Sequence, residues 1–218
     1  MITIGIDPGS SKAAIALLAE TSDGKLFIRT VLLWGERIEK TSRREAIMPG
    51  LTTRAIGEFV QTVADKGAKV TAGFVESFPG FSSISAQVYG NMWRQHGIAL
   101  EGLAACGIPT AAIETDQWRR NTIGDPPPTI TTRVKKDGTF VYKKYWTKGG
   151  KHKDVTVPDN LSPAVYDYVC TLMPGEQATL LSLDELEAIC IAHAGMKLLK
   201  NKAIEVKNAA NTRTIRQA

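Results

Sequence analysis

Apolar positions change rhythm along the chain, and each change marks an element. ITIGI at 2–6 is a continuous β-branched run, the pattern of a buried strand. DPGSS at 7–11 is turn chemistry. AAIALLAE (13–20) and KLFIRTVLLW (25–34) are two further strands joined by Asp23-Gly24, a hairpin turn. These three segments predict an antiparallel meander. Residues 35–50 are mixed and polar and read as a loop. From Leu51 the spacing becomes helical: Ile56, Phe59, Val60, Val63 and Ala64 share a face, and Gly67 ends it. Strand character returns over 70–76, followed by the loop SFPGFSS at 77–83. A long helix is expected over 84–106, terminated by Gly107 and Pro109. TAAIE (110–114) is a strand and 115–122 a short helix; further helices are expected at 162–173 and 183–200, and the polar tail from Lys202 is expected to fray. Strand, helix, strand in this order implies parallel pairing through right-handed crossovers. The fold class predicted is α/β: a mixed sheet, a meander extended by crossover strands, flanked by helices.

One segment departs from this plan. After Gly124 the chain reads DPPP, then TITTRVKKDGTFVYKKYW, a β-hairpin turning at Asp137-Gly138, and then a Gly- and Lys-rich stretch. It is expected to be an inserted arm over 125–160, not a core element. Charge concentrates there. Residues 129–153 hold eight basic side chains against one acid, a net +7, while the rest of the 218-residue chain carries 19 basic and 21 acidic residues. The overall +5 therefore belongs to the arm, which predicts a polyanionic partner. No apolar run approaches the roughly 18 residues needed to span a bilayer. The N-terminus lacks a basic leader, and Cys106, Cys170 and Cys190 form no CxxC pair, so a reduced, intracellular location is expected.

The candidate chemistry is carboxylate chemistry. Asp7 ends the first strand, and Glu76 ends the strand at 70–76 in the same way: apolar strand, acid, loop. If those strands are neighbours, both acids face the crevice at the strand ends, where open α/β sheets bind ligands. In LSLDELEAICIAHAG, Asp184 and Glu187 are three residues apart on one helix face, and Glu187 borders the apolar side. Asp184 and Glu185 also suit the positive end of the helix dipole, which accounts for Glu185 without any catalytic role. Four carboxylates from three elements, without a Cys/His cluster, suit hard cations, Mg²⁺ or Mn²⁺. Two such ions about 3.5–4 Å apart can clamp a phosphodiester for in-line attack by water. The histidines His96, His152 and His193 are scattered, and His193 is expected in a packed or surface role.

The order IGIDPG, FVES, a long helix, IETDQWRRNTIG and LDELEAICIAHAG resembles RuvC-type Holliday junction resolvases of the ribonuclease H-like superfamily. The resemblance covers 1–124 and 160–200 and implies one nuclease domain over 1–201 with the arm inserted and a polar tail over 202–218. It implies Asp7, Glu76, Asp184 and Glu187 as the catalytic ligands of two Mg²⁺ or Mn²⁺ ions, with Glu187 standing where the family commonly has Asp. It implies a basic residue in the short helix, either Arg119 or Arg120, and a base-stacking aromatic in the loop after Glu76, either Phe78 or Phe81. It implies a homodimer through the helix at 84–106, branched DNA as partner, and products with 5′-phosphate and 3′-hydroxyl ends. The arm is longer than the cellular pattern and resembles elaborations in phage-encoded resolvases. The location implied is the bacterial nucleoid or an infected cell. Rival readings are a less selective branched-DNA nuclease and a non-catalytic DNA-binding protein. An actin-like kinase is excluded because that fold needs two such domains and a glycine-rich adenosine loop.

Within the arm, Arg133, Lys135, Lys136, Lys143, Lys144, Lys148 and Lys151 surround Phe140, Tyr142, Tyr145 and Trp146, a mixture suited to phosphates and unpaired bases; the alternative is a clasp on a partner subunit. Replacing Lys143, Lys144, Lys148 and Lys151 with Ala is expected to weaken junction affinity. It should also flatten the slope of log K against log salt by about 0.9 for each phosphate that is no longer neutralised. Unchanged affinity and slope would mark the arm as a solvated hairpin or a subunit clasp, and lower affinity at an unchanged slope would point to lost packing or dimerisation.

Overall fold

The computed structural model describes residues 1–9, 11–35, 49–77, 86–124, 131–134, 140–146, 152–156 and 163–207, with backbone only at 49, 86–88, 131–134, 140–146, 152–156 and 163. The three predicted N-terminal strands are β1 (Ile2–Pro8), β2 (Lys12–Glu20) and β3 (Leu26–Trp34). They pair antiparallel in sequence, with Asp7 opposite Ala14 and Lys12 opposite Trp34. Helix α1 (Pro49–Ala64) leads to β4 (Ala72–Ser77), and α2 (Ala86–Ala105) leads to β5 (Thr110–Glu114). Both later strands pair parallel, β4 on β1 and β5 on β4. The sheet order is β3-β2-β1-β4-β5, the mixed sheet that the alternating elements predict.

After β5 come α3 (Thr115–Thr122), then β6 (Thr131–Val134), β7 (Phe140–Trp146) and β8 (His152–Thr156), then α4 (Pro163–Val169), α5 (Gly175–Ala178) and α6 (Leu183–Lys200). Strands β6, β7 and β8 form a separate antiparallel sheet, one strand more than the expected hairpin. The expected turn at Asp137-Gly138 lies outside the described residues. Past α6, Lys207 bridges Thr110 through reciprocal backbone hydrogen bonds of 2.8 and 3.0 Å, so the chain lies along β5 there.

Period-two alternation divides the sheet into two faces. Ile4 and Ile6 of β1, Ile15 and Leu17 of β2 and Val75 of β4 pack with α1 and α2 residues such as Ile56, Phe59 and Leu103. Ala14, Ala16 and Leu18 of β2 and Phe74 of β4 pack against α6. Gly5 and Phe74 thus mark the α6 face, and two residues further on, Asp7 and Glu76 emerge on that same face.

Helix α6 lies unusually close to the sheet. A Cβ at Gly5 would meet the Ala188 carbonyl oxygen at 2.3 Å and the Ala192 nitrogen at 2.4 Å. At Gly195 it would meet the Phe74 ring at 2.2 Å. Ala188, Ala192 and Gly195 are spaced four and three apart, one stripe of the helix. Thr3 Oγ1 adds a hydrogen bond to the Ala192 carbonyl at 3.1 Å. One turn back along the stripe from Ala188 is Asp184, so the contact that seats α6 on β1 also carries Asp184 over the strand end. The start of α6 is fixed by a capping box, in which Ser182 Oγ accepts from the Glu185 N–H and the Glu185 carboxylate accepts from the Ser182 N–H at 3.0 Å. Glu185 also accepts from Thr30 Oγ1 at 2.8 Å, which ties the start of α6 to β3.

Gly5→Ala is expected to destabilise the protein by about 2–3 kcal/mol, because two backbone groups must give way. That is a fall of about 4–12 °C in Tm. Gly57→Ala in α1, where an added Cβ meets nothing within 4 Å, should raise Tm slightly. Calorimetry of both variants checks the contrast.

Candidate metal centre

Three elements converge at one end of the sheet. Asp7 comes from β1, Glu76 from β4, and Asp184 and Glu187 from the first turn and a half of α6. Carboxylate oxygens of Asp7, Asp184 and Glu187 lie within 4.8 Å of one another. Glu76 stands beside Asp7, close enough for its charge to help hold the Asp7 carboxyl above the usual range. Asp7 and Glu76 are each only 7% exposed.

Glu76 is held from behind. Its Oε1 accepts from Trp118 Nε1 at 2.7 Å and from Thr115 Oγ1 at 2.8 Å, and its backbone carbonyl meets His96 Nδ1 at 2.8 Å. Trp118 is fully buried, so its ring fixes the indole N–H that orients the carboxylate. Helix α3 can do this because it begins directly after β5, whose Ile113 pairs with Glu76.

Two cations face the acids. The Lys12 ammonium makes an ion pair with Asp184 Oδ2. Arg119 Nη2 lies 3.9 Å from Glu187 Oε1, and the guanidinium stacks 5.2 Å from the Trp118 ring centroid. Arg119 Nε is buried with no hydrogen-bond partner among the described residues. Of the two arginines the sequence left open, Arg119 is therefore the one at the acids; Arg120 is exposed on the same helix.

Burial and mutual repulsion leave the cluster short of negative charge in the absence of a cation. Desolvation first, then the charges of Glu76, Glu187 and Asp184, hold Asp7 well above the usual carboxylate range. Desolvation and Glu76 push Glu187 up to about 8, against the opposing pull of Arg119. An all-oxygen donor set that resists ionising by itself fits a hard divalent cation, which would replace protons and the Lys12 ammonium as counter-charge.

Phe78, Phe81, Lys135, Lys136, Lys148 and Lys151 lie outside the described residues. Arg133 is on β6 opposite Val141, and Lys143 and Lys144 are on β7, with Lys143 between Thr131 and Asp154. His193 packs away from the acids, its Nδ1 2.9 Å from the Tyr168 hydroxyl. Lys12, Thr115, Trp118 and His96 were not anticipated. Lys12 was within reach of sequence reasoning: a meander that turns at DPGSS returns the next residue to the side of the Asp7 strand end.

No family model matches the sequence, and no curated protein is detectably similar to it in sequence. Structure comparison finds similar folds. The fold aligns with T. thermophilus RuvC in complex with Holliday junction substrate at a TM-score of 0.62 and 14% identity, covering 95% of this chain and 99% of that one. A second Thermus thermophilus RuvC structure aligns at a TM-score of 0.51 and 16% identity, with the same coverage of 95% and 99%. The fold is therefore ribonuclease H-like, a mixed five-strand sheet flanked by helices. Both neighbours are Thermus proteins and lend nothing to a phage source. Among the described residues, no helix is long and apolar enough to cross a membrane.

The raised carboxyls make a pH prediction. A carboxyl with a raised folded pKa binds more protons folded than unfolded, so it opposes stability as pH climbs from about 4.5 to about 8. Buried His193, held down at about 4, acts in the opposite sense below its ordinary 6.5. The clean window lies above that value. Between pH 6.5 and 8.5 in chelator, Tm is expected to fall by about 4–8 °C. Glu187→Gln should remove much of the fall, and so should a divalent cation. A flat profile for the chelated wild type would contradict the assignment.

Proposed function

We propose that the chain is a structure-selective DNA endonuclease that resolves four-way junctions by hydrolysing phosphodiesters with two Mg²⁺ or Mn²⁺ ions. The observation that carries this reading is the convergence of Asp7, Glu76, Asp184 and Glu187 at one sheet end, in a fold whose neighbour was solved with a Holliday junction substrate.

Asp7, Glu76, Asp184 and Glu187 would hold the ions. Bound there, the ions would supply Lewis-acid stabilisation of the phosphorane charge and activation of water, so that no protein nucleophile is needed. The chain's own residues do the rest. Trp118 and Thr115 keep one Glu76 oxygen engaged, leaving the other to face the cluster. Lys12 and Arg119 offset the acids before DNA arrives, and both side chains are partly exposed, able to meet an anionic backbone. The Arg119 guanidinium is suited to a phosphate oxygen because its stacking on Trp118 fixes its plane. Glu187 and Asp7 release protons when the site is charged, so metal affinity should rise with pH.

Two cuts on one junction need two sites in fixed relation, so the reading includes a homodimer. Helix α2, which carries the half-exposed Trp93, is the surface proposed to pair with its copy. Light scattering at concentrations where junctions are cut should give the dimer mass.

The activity test is cutting of a synthetic four-way junction in Mg²⁺ beside duplex, flap and single-stranded DNA. Junction cleavage leaving ligatable 5′-phosphates is expected; equal cutting of flaps would favour a broader debranching nuclease. Asp7→Asn, Glu76→Gln and Asp184→Asn should each lower the rate by on the order of 10³-fold or more while junction binding persists. Glu187→Gln should lose less. Cleavage by Asp7→Asn near the wild-type rate would contradict the site, and binding without cutting by wild type would leave a DNA-binding protein.

A further inference from the structure

The α6 face of the sheet holds one more group at the same end. Trp34 is the last residue of β3 and pairs with Lys12 across the β2–β3 ladder. Alternation puts Leu32 and Ile28 of β3 against the α6-side core, and Thr30 bonds Glu185 of α6, so Trp34, in step with them, belongs to that face. It is nevertheless 47% exposed. Asp7 and Trp34 are two strands apart and offset by two residues along them, roughly 12 Å at ordinary strand spacing and rise. Between them stands Lys12, whose ammonium is paired with Asp184 and lies 5.8 Å from the Trp34 ring centroid.

A large aromatic left half in water is ordinary when it is isolated. Trp34 is not isolated: it stands beside a cluster suited to holding a phosphodiester, with a cation between ring and acids. Although it is on the α6 face, the ring stays half exposed at the rim. We propose that Trp34 is a stacking platform for an unpaired nucleobase, taken from the strand whose phosphate lies over the carboxylates, with Lys12 bridging ring and backbone. The platform is on β3, on the opposite side of β1 from β4 in the sheet order. It selects open or branched DNA over duplex because only an unpaired base offers its face, and it is tolerant of sequence because every base has one. This proposal rests on the nuclease reading of the site.

The test uses the full chain in an Asp7→Asn background, which keeps the junction uncut, with Trp34→Ala and Trp34→Phe added separately. Junctions carry 2-aminopurine at each nucleotide flanking the branch point. Trp34→Ala is expected to weaken junction affinity by about 10-fold, to leave duplex affinity unchanged, and to abolish the 2-aminopurine fluorescence change at one flanking position. Trp34→Phe should retain most of both signals. Mn²⁺ affinity measured by titration in the wild-type background should be the same with and without Trp34→Ala. Unchanged junction affinity and fluorescence in Trp34→Ala, or an equal loss on duplex, would overturn the platform while wild-type cutting keeps the nuclease reading intact. Failure of the wild type to bind or cut any branched DNA would overturn both.

Discussion

Helix α6 rests on the backbone of β1 at Gly5, and the site exists because of that contact. Ala188 and Ala192 leave no room for a side chain on the strand, and Gly195 leaves none against Phe74. The small stripe sets the helix-to-sheet distance, and its next turn is Asp184. The strand end supplies Asp7, and the neighbouring strand supplies Glu76 in register. Carboxylates that are 177 residues apart in Asp7 and Asp184 are thus brought within 4.8 Å by packing of the smallest residues in the fold. Loops do not set this geometry; two strands and one capped helix do, which suits a site that must hold ligands to fractions of an ångström.

The same packing creates an electrostatic problem. Four acids are crowded at a largely buried sheet end, and only Lys12 and Arg119 stand against them among the described residues. Asp7 and Glu187 hold their protons to higher pH than isolated carboxyls do. Such a cluster weakens the fold at neutral and higher pH, and a divalent cation bound there would relieve it. Stability and metal affinity are linked through the same protons.

Most of this architecture is legible in the amino-acid sequence, because the strands are short apolar runs with clear turn chemistry and the helices have distinct ends. The apolar-strand-then-acid repeat at Asp7 and Glu76 needs only period-two alternation to predict a shared face. The cap at Ser182–Glu185 separates Glu185 from its neighbours Asp184 and Glu187 by local rules alone. Other features depend on contacts that sequence spacing does not encode. Whether Arg119 or Arg120 faces the acids turns on the rotation of a single short helix. The Trp118 bond to Glu76 links residues 42 apart. The closeness of α6 to β1 depends on glycines and alanines, residues whose patterns are weak signals. Strand β8 is a case of tertiary pairing: HKDVT has little strand character until β7 lies beside it.

The central claim is that the four acids form one cation site prepared by the fold. Anomalous diffraction from crystals grown with Mn²⁺ tests it most directly. The account predicts manganese peaks among Asp7, Glu76, Asp184 and Glu187, with the Lys12 ammonium moved off Asp184. Crystals in which Lys12 still pairs with Asp184 and no manganese lies among the four carboxylates would contradict it.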